Sequence, residues 1–202
     1  MPLDDDSRVP TPTPLSTLLL PGWLNSDAMH WQSRWEALHG CKRVQQADWQ
    51  WPRRGDWMAR LDDVLLDDAR PAVLVAHSLG CQLVASWAAH SRHTARVVAA
   101  LLVAPPDTER DDMPQNLFNW RPIARQRLPF ASLVVTSSDD PYCSAERGAQ
   151  MAADWGQRID RDRRLWPRQR RIGAGRLACR MGAVASDDAS SDHGGTDRKS
   201  VV

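Results

Sequence analysis

The feature that most restricts the fold of this chain is an apolar run that ends at a serine between small residues. The run covers residues 73–76 and leads to Ser78, after which helix-forming residues follow. A sharp strand-to-helix turn that exposes a serine hydroxyl needs small residues two positions before and two positions after the serine, because strand and helix nearly touch there. Ala76 and Gly80 occupy those positions. The pattern predicts a nucleophile elbow with Ser78 as candidate nucleophile, although a buried strand and helix joined by a plain short loop would look similar.

Short apolar runs alternate with helical spacings along the chain as far as residue 156. The runs have the length of buried strands, and the segments between them carry apolar residues at the helical period. Alternation of this kind predicts a doubly wound, mostly parallel α/β sheet. The predicted strands cover residues 17–21, 43–47, 72–76, 96–104 and 131–137, and the predicted helices cover 31–39, 55–66, 80–90 and 145–155.

Composition argues against several classes of protein. The 202 residues carry a net charge of +1, so we expect no nucleic-acid partner and no attraction to a membrane surface. No apolar run approaches the ~20 residues of a membrane span. Residues 1–16 are acidic and then proline-rich, which predicts a disordered leader without a secretion signal and a cytoplasmic protein. We expect no metal and no cofactor, because the cysteines lack ligand spacing, at Cys41, Cys81, Cys143 and Cys179.

The candidate acid of a catalytic triad lies after a later strand. A serine nucleophile needs a histidine to take its proton, and the histidine needs a carboxylate to fix its tautomer. Behind a nucleophile elbow the acid comes next along the chain, at the end of a strand. Asp140 follows the predicted strand at 131–137 and meets this requirement. Asp139 and Asp107 are the alternatives, and an ordinary acidic turn would also place an aspartate before proline.

The candidate oxyanion hole needs two backbone N–H groups. One belongs to Leu79, the residue after the candidate nucleophile. The other should come from the loop after the first strand, at residues 21–26, where Gly22 permits a close approach and Trp23 or Leu24 would donate. A simple turn that ends the strand explains the same residues equally well.

Three motifs together resemble a known family, the small serine hydrolases related to retinoblastoma-binding protein nine. The resemblance extends over about residues 17–156. The motifs are Leu-Pro-Gly-Trp at 20–23 with His-Trp at 30–31, Ala-His-Ser-Leu-Gly-Cys at 76–81, and Ser-Asp-Asp-Pro-Tyr at 138–142.

The resemblance implies a compact α/β-hydrolase fold without a large lid. It also implies Ser78 as nucleophile and Asp140 as acid. With these residues we expect a serine hydrolase that acts on carboxylic esters or small amides. The family's histidine lies in a Gly-His-x-Asn-like segment after one more strand, and this chain has no such segment.

None of the histidines in the chain is a good candidate for the base. Only His193 follows Asp140, and it lies in a polar stretch at residues 191–195 that is poorly suited to hold a base in place. We expect His30 to pack or to cap a helix, and His77 to point away from the nucleophile. His90 and His93 would close a helix, where histidine suits the helix dipole.

A change of reading frame would explain the missing segment. Residues 166–178, read one nucleotide later, are compatible with Gly-His-Val-Asn-Ala-Glu-Ser-Gly-Leu-Gly-x-Trp-Pro. We therefore expect an incomplete hydrolase domain over residues 17–157, without its last strand and helix, and a disordered tail of non-native appearance over 158–202. The chain as written would then be inactive.

Two other functions stay open at this point. The arginine-rich segment after residue 158 could be a nucleic-acid-binding arm, since basic residues make salt-sensitive phosphate contacts. Alternatively, the hydrolase cleft could hold a peptide or a partner without catalysis.

Overall fold

A parallel sheet covered by helices forms the part of the chain described by a computed structural model, residues 14–162. The strand order is β2-β1-β3-β4-β5-β6, and every neighbouring pair is parallel. The strands are β1 (Ser16–Leu20), β2 (Lys42–Arg43), β3 (Ala72–His77), β4 (Val97–Val103), β5 (Ala131–Ser137) and β6 (Arg158–Asp162). The helices are α1 (Trp31–His39), α2 (Arg54–Asp67), α3 (Leu79–His90) and α4 (Ala145–Asp154), with 3₁₀ turns at Thr94–Arg96 and Gln115–Trp120.

Both faces of the central strands are buried, which is why the strands read as continuous apolar runs. Side chains alternate between the faces along each strand. On one face Leu74 packs in a cluster with Trp57 of α2 and Trp87 of α3. On the other face Val75 packs in a cluster with Trp31 of α1. The sheet is therefore the middle layer of a helix–sheet–helix arrangement.

The predicted α/β class is confirmed. The apolar runs mark β3, β4 and β5 to within a residue or two, and the helical spacings mark α1 and α2 equally closely. The second strand is shorter than predicted, with two residues instead of five. No helix within residues 14–162 is both long enough and apolar enough to cross a membrane.

The expectation that the sheet has no strand beyond residue 157 is wrong. Residues 158–162 form β6, which pairs with β5 in register from Leu133 opposite Arg158 to Ser137 opposite Asp162. Pairing uses backbone N–H and C=O groups, so a strand beside an already buried neighbour does not require an apolar run. The expected missing helix, the tail from residue 163 and the leader up to residue 13 lie outside the described residues.

The start of α3 lies directly against the end of β1. A Cβ atom added to Gly80 would lie 2.2 Å from the carbonyl oxygen of Leu20 and 2.9 Å from that of Pro21. Both contacts are with backbone, which cannot swing aside as a side chain can. Only glycine therefore fits at this position without moving β1 or α3.

We predict that Gly80→Ala lowers the free energy of unfolding by at least about 2 kcal/mol, because the added methyl group overpacks a rigid backbone contact. Urea denaturation checks this. Gly55→Ala is the matched control: nothing lies within 4 Å of a Cβ at Gly55, in the first turn of α2. That variant should be unchanged or more stable by up to about 1 kcal/mol. Equal stability of the two variants would contradict the tight contact.

Candidate active site

Ser78 occupies a strained turn between β3 and α3. Its backbone has φ 52° and ψ −123°, a conformation that costs a non-glycine residue about 1–3 kcal/mol. The turn is held by hydrogen bonds on both sides: the Ser78 N–H donates to the Val103 carbonyl at 2.9 Å, and the Cys81 N–H donates to the Ser78 carbonyl at 2.8 Å. The predicted elbow geometry is thus present, with the serine partly exposed at the carboxyl edge of the sheet.

A cavity of about 230 Å³ opens at this edge and brings the predicted site residues together. Loops that follow β1, β3, β4 and β5 contribute to it, as is usual for ligand sites in parallel sheets. Ser78, Leu79, Trp23 and Asp140 all line it. Its other lining residues are Leu24, His77, Ala104, Pro106, Met113, Pro114, Leu117 and Tyr142.

The three candidate acids have different surroundings. Asp140 lines the cavity, is half-buried, and accepts the Tyr142 N–H at 2.9 Å. Asp139 is exposed and accepts the Ser137 hydroxyl. Asp107 pairs with Arg147 at 3.3 Å and is not among the cavity residues. Of the three carboxylates, Asp140 is the one that lines the same cavity as Ser78.

Burial raises the pKa of the Asp140 carboxyl, and the charge of Asp139 adds to this effect. The Tyr142 N–H and the Arg110 guanidinium act in the opposite direction. A cationic imidazolium in contact with Asp140 would favour its charged form further.

The loop after β1 offers a donor close to the nucleophile. A Cβ on Gly22 would lie 2.8 Å from Ser78 Cβ and 3.1 Å from Ser78 Oγ, so glycine lets this loop approach the hydroxyl. Of the two predicted donors, Leu24 uses its N–H to bond the Trp49 carbonyl at 3.1 Å. The Leu24 N–H is therefore engaged elsewhere, while Trp23 and Leu79 both line the cavity.

Gln32 supports this loop, a role that the sequence analysis did not predict. It lies on α1 and is fully buried. Its Nε2 donates to the Leu20 carbonyl at 3.2 Å and to the Val75 carbonyl at 3.0 Å, and its Oε1 accepts the Ser26 hydroxyl at 3.0 Å. Gln32 therefore joins the ends of β1 and β3 to the loop that carries Trp23. The only sequence signal for this role was the position of the glutamine directly after Trp31 on a short predicted helix, and that signal is weak.

The histidines near the site have structural partners. His30 caps α1 by accepting the Gln32 N–H at Nδ1 over 3.3 Å, as expected. Burial and the neighbouring His77 lower the pKa of His30 to about 3. The His77 ring packs 4.7 Å from the His30 ring and edge-on to Trp31, and His77 also contributes to the cavity wall.

The remaining histidine expectations concern the end of α3 and the tail. His90 bonds the Ser86 carbonyl at the last turn of α3, as expected for a closing residue. His193 lies outside the described residues. Among residues 14–162 no group of three or more histidine, cysteine, aspartate or glutamate side chains is placed to hold a metal ion.

The fold and the elbow together define an α/β-hydrolase. The chain matches the family model described as serine hydrolase over residues 17–163 and belongs to that family. None of the curated proteins compared with the chain matches it.

Solved structures support the same fold. A YdeN-like hydrolase from Pectobacterium atrosepticum is 22% identical, with a TM-score of 0.72 over 86% of this chain and 91% of its own. The ydeN gene product of B. subtilis is 17% identical, with a TM-score of 0.56 over 76% and 87%. The type II thioesterase BorB from the borrelidin biosynthetic cluster is 16% identical, with a TM-score of 0.56 over 85% and 93%. At these identities the likeness shows the fold alone.

We predict that Ser78→Gly is more stable than Ser78→Ala by about 1 kcal/mol, because glycine adopts the φ of 52° without steric strain and alanine does not. Chemical denaturation of the two variants side by side checks this, and both lack the hydroxyl, so the backbone is compared directly. An alanine variant at least as stable as the glycine variant would show that the turn stores no strain.

Gln32→Leu should lower the free energy of unfolding by at least about 2 kcal/mol, because it leaves buried carbonyl and hydroxyl groups without their partner. Gln150→Leu is the control, since Gln150 is exposed on α4 and bonds only Asp154 among the contacts described. It should stay within about 0.5 kcal/mol of the parent. Thermal and urea unfolding measure the stability of both variants. Equal losses of stability would show that Gln32 does not support the loop.

Proposed function

We propose that this serine hydrolase cleaves small carboxylic esters or amides, with Ser78 as nucleophile and Asp140 as the acid of its triad. The observation that carries the proposal is the meeting of Ser78, Asp140, Leu79 and Trp23 in one cavity at the carboxyl edge of the sheet. The partner is a small molecule, and no metal or cofactor takes part in the proposed chemistry.

In the proposed reaction the Ser78 Oγ attacks the substrate carbonyl carbon while a histidine takes its proton. The resulting oxyanion is bound by the N–H groups of Leu79 and Trp23. The histidine then returns the proton to the leaving alcohol or amine, and water hydrolyses the acyl-enzyme by the same steps. Asp140 holds the imidazole in its reactive tautomer and stabilises the imidazolium.

The histidine is the part that this chain lacks. We propose that it is encoded in another reading frame, in the segment now read as residues 166–178, and that the chain as written is inactive. Three observations support this: the resemblance to the small hydrolases related to retinoblastoma-binding protein nine, the family match that ends at residue 163, and the arginine-rich composition beyond it. The sequence favours a frame change near Gln157 to Ile159; because the family match continues to residue 163, we extend the proposed interval to Trp166. Residues after the change would form a non-native tail.

A cytoplasmic location completes the proposal. Cys41, Cys81 and Cys143 are buried free thiols, which suits a reducing compartment.

We predict that removal of one nucleotide between the codons of Gln157 and Trp166 restores hydrolysis of p-nitrophenyl butyrate. Relative to this restored protein, kcat/KM should fall at least about a thousandfold in Ser78→Ala and in the chain as written, and about ten-thousandfold in Asp140→Asn. Asp139→Asn is the matched control and should stay within about threefold, because Asp139 is exposed beside the site. A spectrophotometric ester assay measures all of them.

Two results would revise the proposal. If Asp140→Asn is as active as the restored protein, then Asp139 or Asp107 is the acid. If the restored protein folds but hydrolyses no ester or amide, the fold acts as a noncatalytic binding module for a peptide or partner.

A further inference from the structure

The cavity beside Ser78 has a closed end and an open end. Met113 and Leu117 line it away from the Ser78 turn and are at most 7% exposed, and we take them as its floor. Leu24 and Tyr142 also line it but are 58% and 46% exposed, so they stand at its mouth. A ligand that enters past the mouth therefore buries its far end against the floor.

The volume of the cavity limits the size of that ligand. A protein cavity of about 150 Å³ holds a benzene ring, which has six heavy atoms. By proportion, the 230 Å³ beside Ser78 holds about nine. Because the carbonyl carbon and oxygen take two of these places next to Ser78, the remainder accepts an alkyl chain of up to about seven carbons.

The charges around the cavity select against an anionic ligand. Among residues 14–162, Asp140 is its one acidic lining residue, and no lysine or arginine of that range lines it. Arg110, whose charge acts on the Asp140 carboxyl, donates to Asp112 and to the Pro141 carbonyl. A carboxylate in the cavity would thus meet a like charge without a paired cation, whereas an alkyl chain would meet apolar walls.

The direction of the reaction decides which half of the substrate lies on the floor. In the proposed triad the histidine would lie against Asp140, so the leaving group would depart on the side of Asp140 and the exposed Tyr142. The acyl group stays bonded to Ser78 until water arrives. It is therefore the half that can use the buried end.

We propose that this cavity is an acyl pocket for uncharged, unbranched aliphatic acyl groups of about four to eight carbons, with Leu117 on its floor setting the upper limit. The assignment deepens the proposed hydrolase function and rests on it for the bond that is cleaved. The binding of the alkyl chain, however, requires no catalysis.

Binding to the chain as written tests the pocket without the missing base. The probes are straight-chain methyl ketones from 2-pentanone to 2-dodecanone, titrated by ligand-observed NMR. Burial of each methylene should lower Kd about fourfold until the chain reaches the floor, near eight carbons, and longer chains should gain nothing. Straight-chain carboxylates of equal length should bind at least about tenfold more weakly.

Variants at the floor should move the length limit. Leu117→Ala should extend the chain-length limit by about two carbons, and Leu117→Phe should shorten it. If one of these variants fails to fold, the other still tests the limit. Phe118→Ala is the matched control: Phe118 is exposed, does not line the cavity, and stacks under Arg121. It should leave the limit unchanged.

Three results would overturn the pocket. These are ketone affinities without a length limit, a limit that the Leu117 variants do not move, and carboxylates that bind as tightly as ketones. On the frame-restored protein, a limit seen in the alcohol chain of acetate esters and absent from the acyl chain of p-nitrophenyl esters would assign the cavity to the leaving group instead. If the ketones show the limit but the restored protein hydrolyses nothing, the hydrolase function fails while the alkyl-binding cavity stands.

Discussion

The contact between the start of α3 and the end of β1 is the constraint on which the site depends. Gly80 lets α3 begin against the Leu20 carbonyl, and this fixes the tight turn that holds Ser78 at a φ of 52°. On the other side of the serine, Gly22 lets the loop after β1 pass so close that an added Cβ would lie 3.1 Å from the hydroxyl oxygen. Two glycines thus let three backbone segments converge around Ser78.

The buried glutamine on α1 holds this convergence in place. Gln32 links the ends of β1 and β3 to Ser26, so the loop that presents Trp23 and the strand that presents Ser78 are fixed relative to one another. Rigid support of this kind matters because an oxyanion donor acts only when it is already aimed at the developing charge. Leu117, which lines the same cavity, comes from a separate segment between β4 and β5, so the cavity wall there and the turn at Ser78 have different sources.

The sequence was most informative where a single local pattern carries the structure. The run into Ser78, with its small flanking residues, was sufficient to predict the elbow, and the position of Asp140 after β5 was sufficient to bring it to the same cavity. The sequence was least informative where a contact depends on residues far apart along the chain. The Leu24 N–H is engaged by Trp49, and Gln32 bonds strands far along the chain, so neither contact has a local signature. β6 was missed because its pairing uses backbone groups and its sequence has no apolar run.

The central claim is that Ser78 is a nucleophile in a complete elbow whose base is missing from this chain. The most direct measurement is peptide mass spectrometry after treatment with a small fluorophosphonate, on the chain as written and on the frame-restored protein. The restored protein should carry one adduct, on the peptide that contains Ser78, and the chain as written should form it at least about a thousandfold more slowly. An adduct on another residue, a folded restored protein without an adduct, or equal rates in the two proteins would contradict the claim.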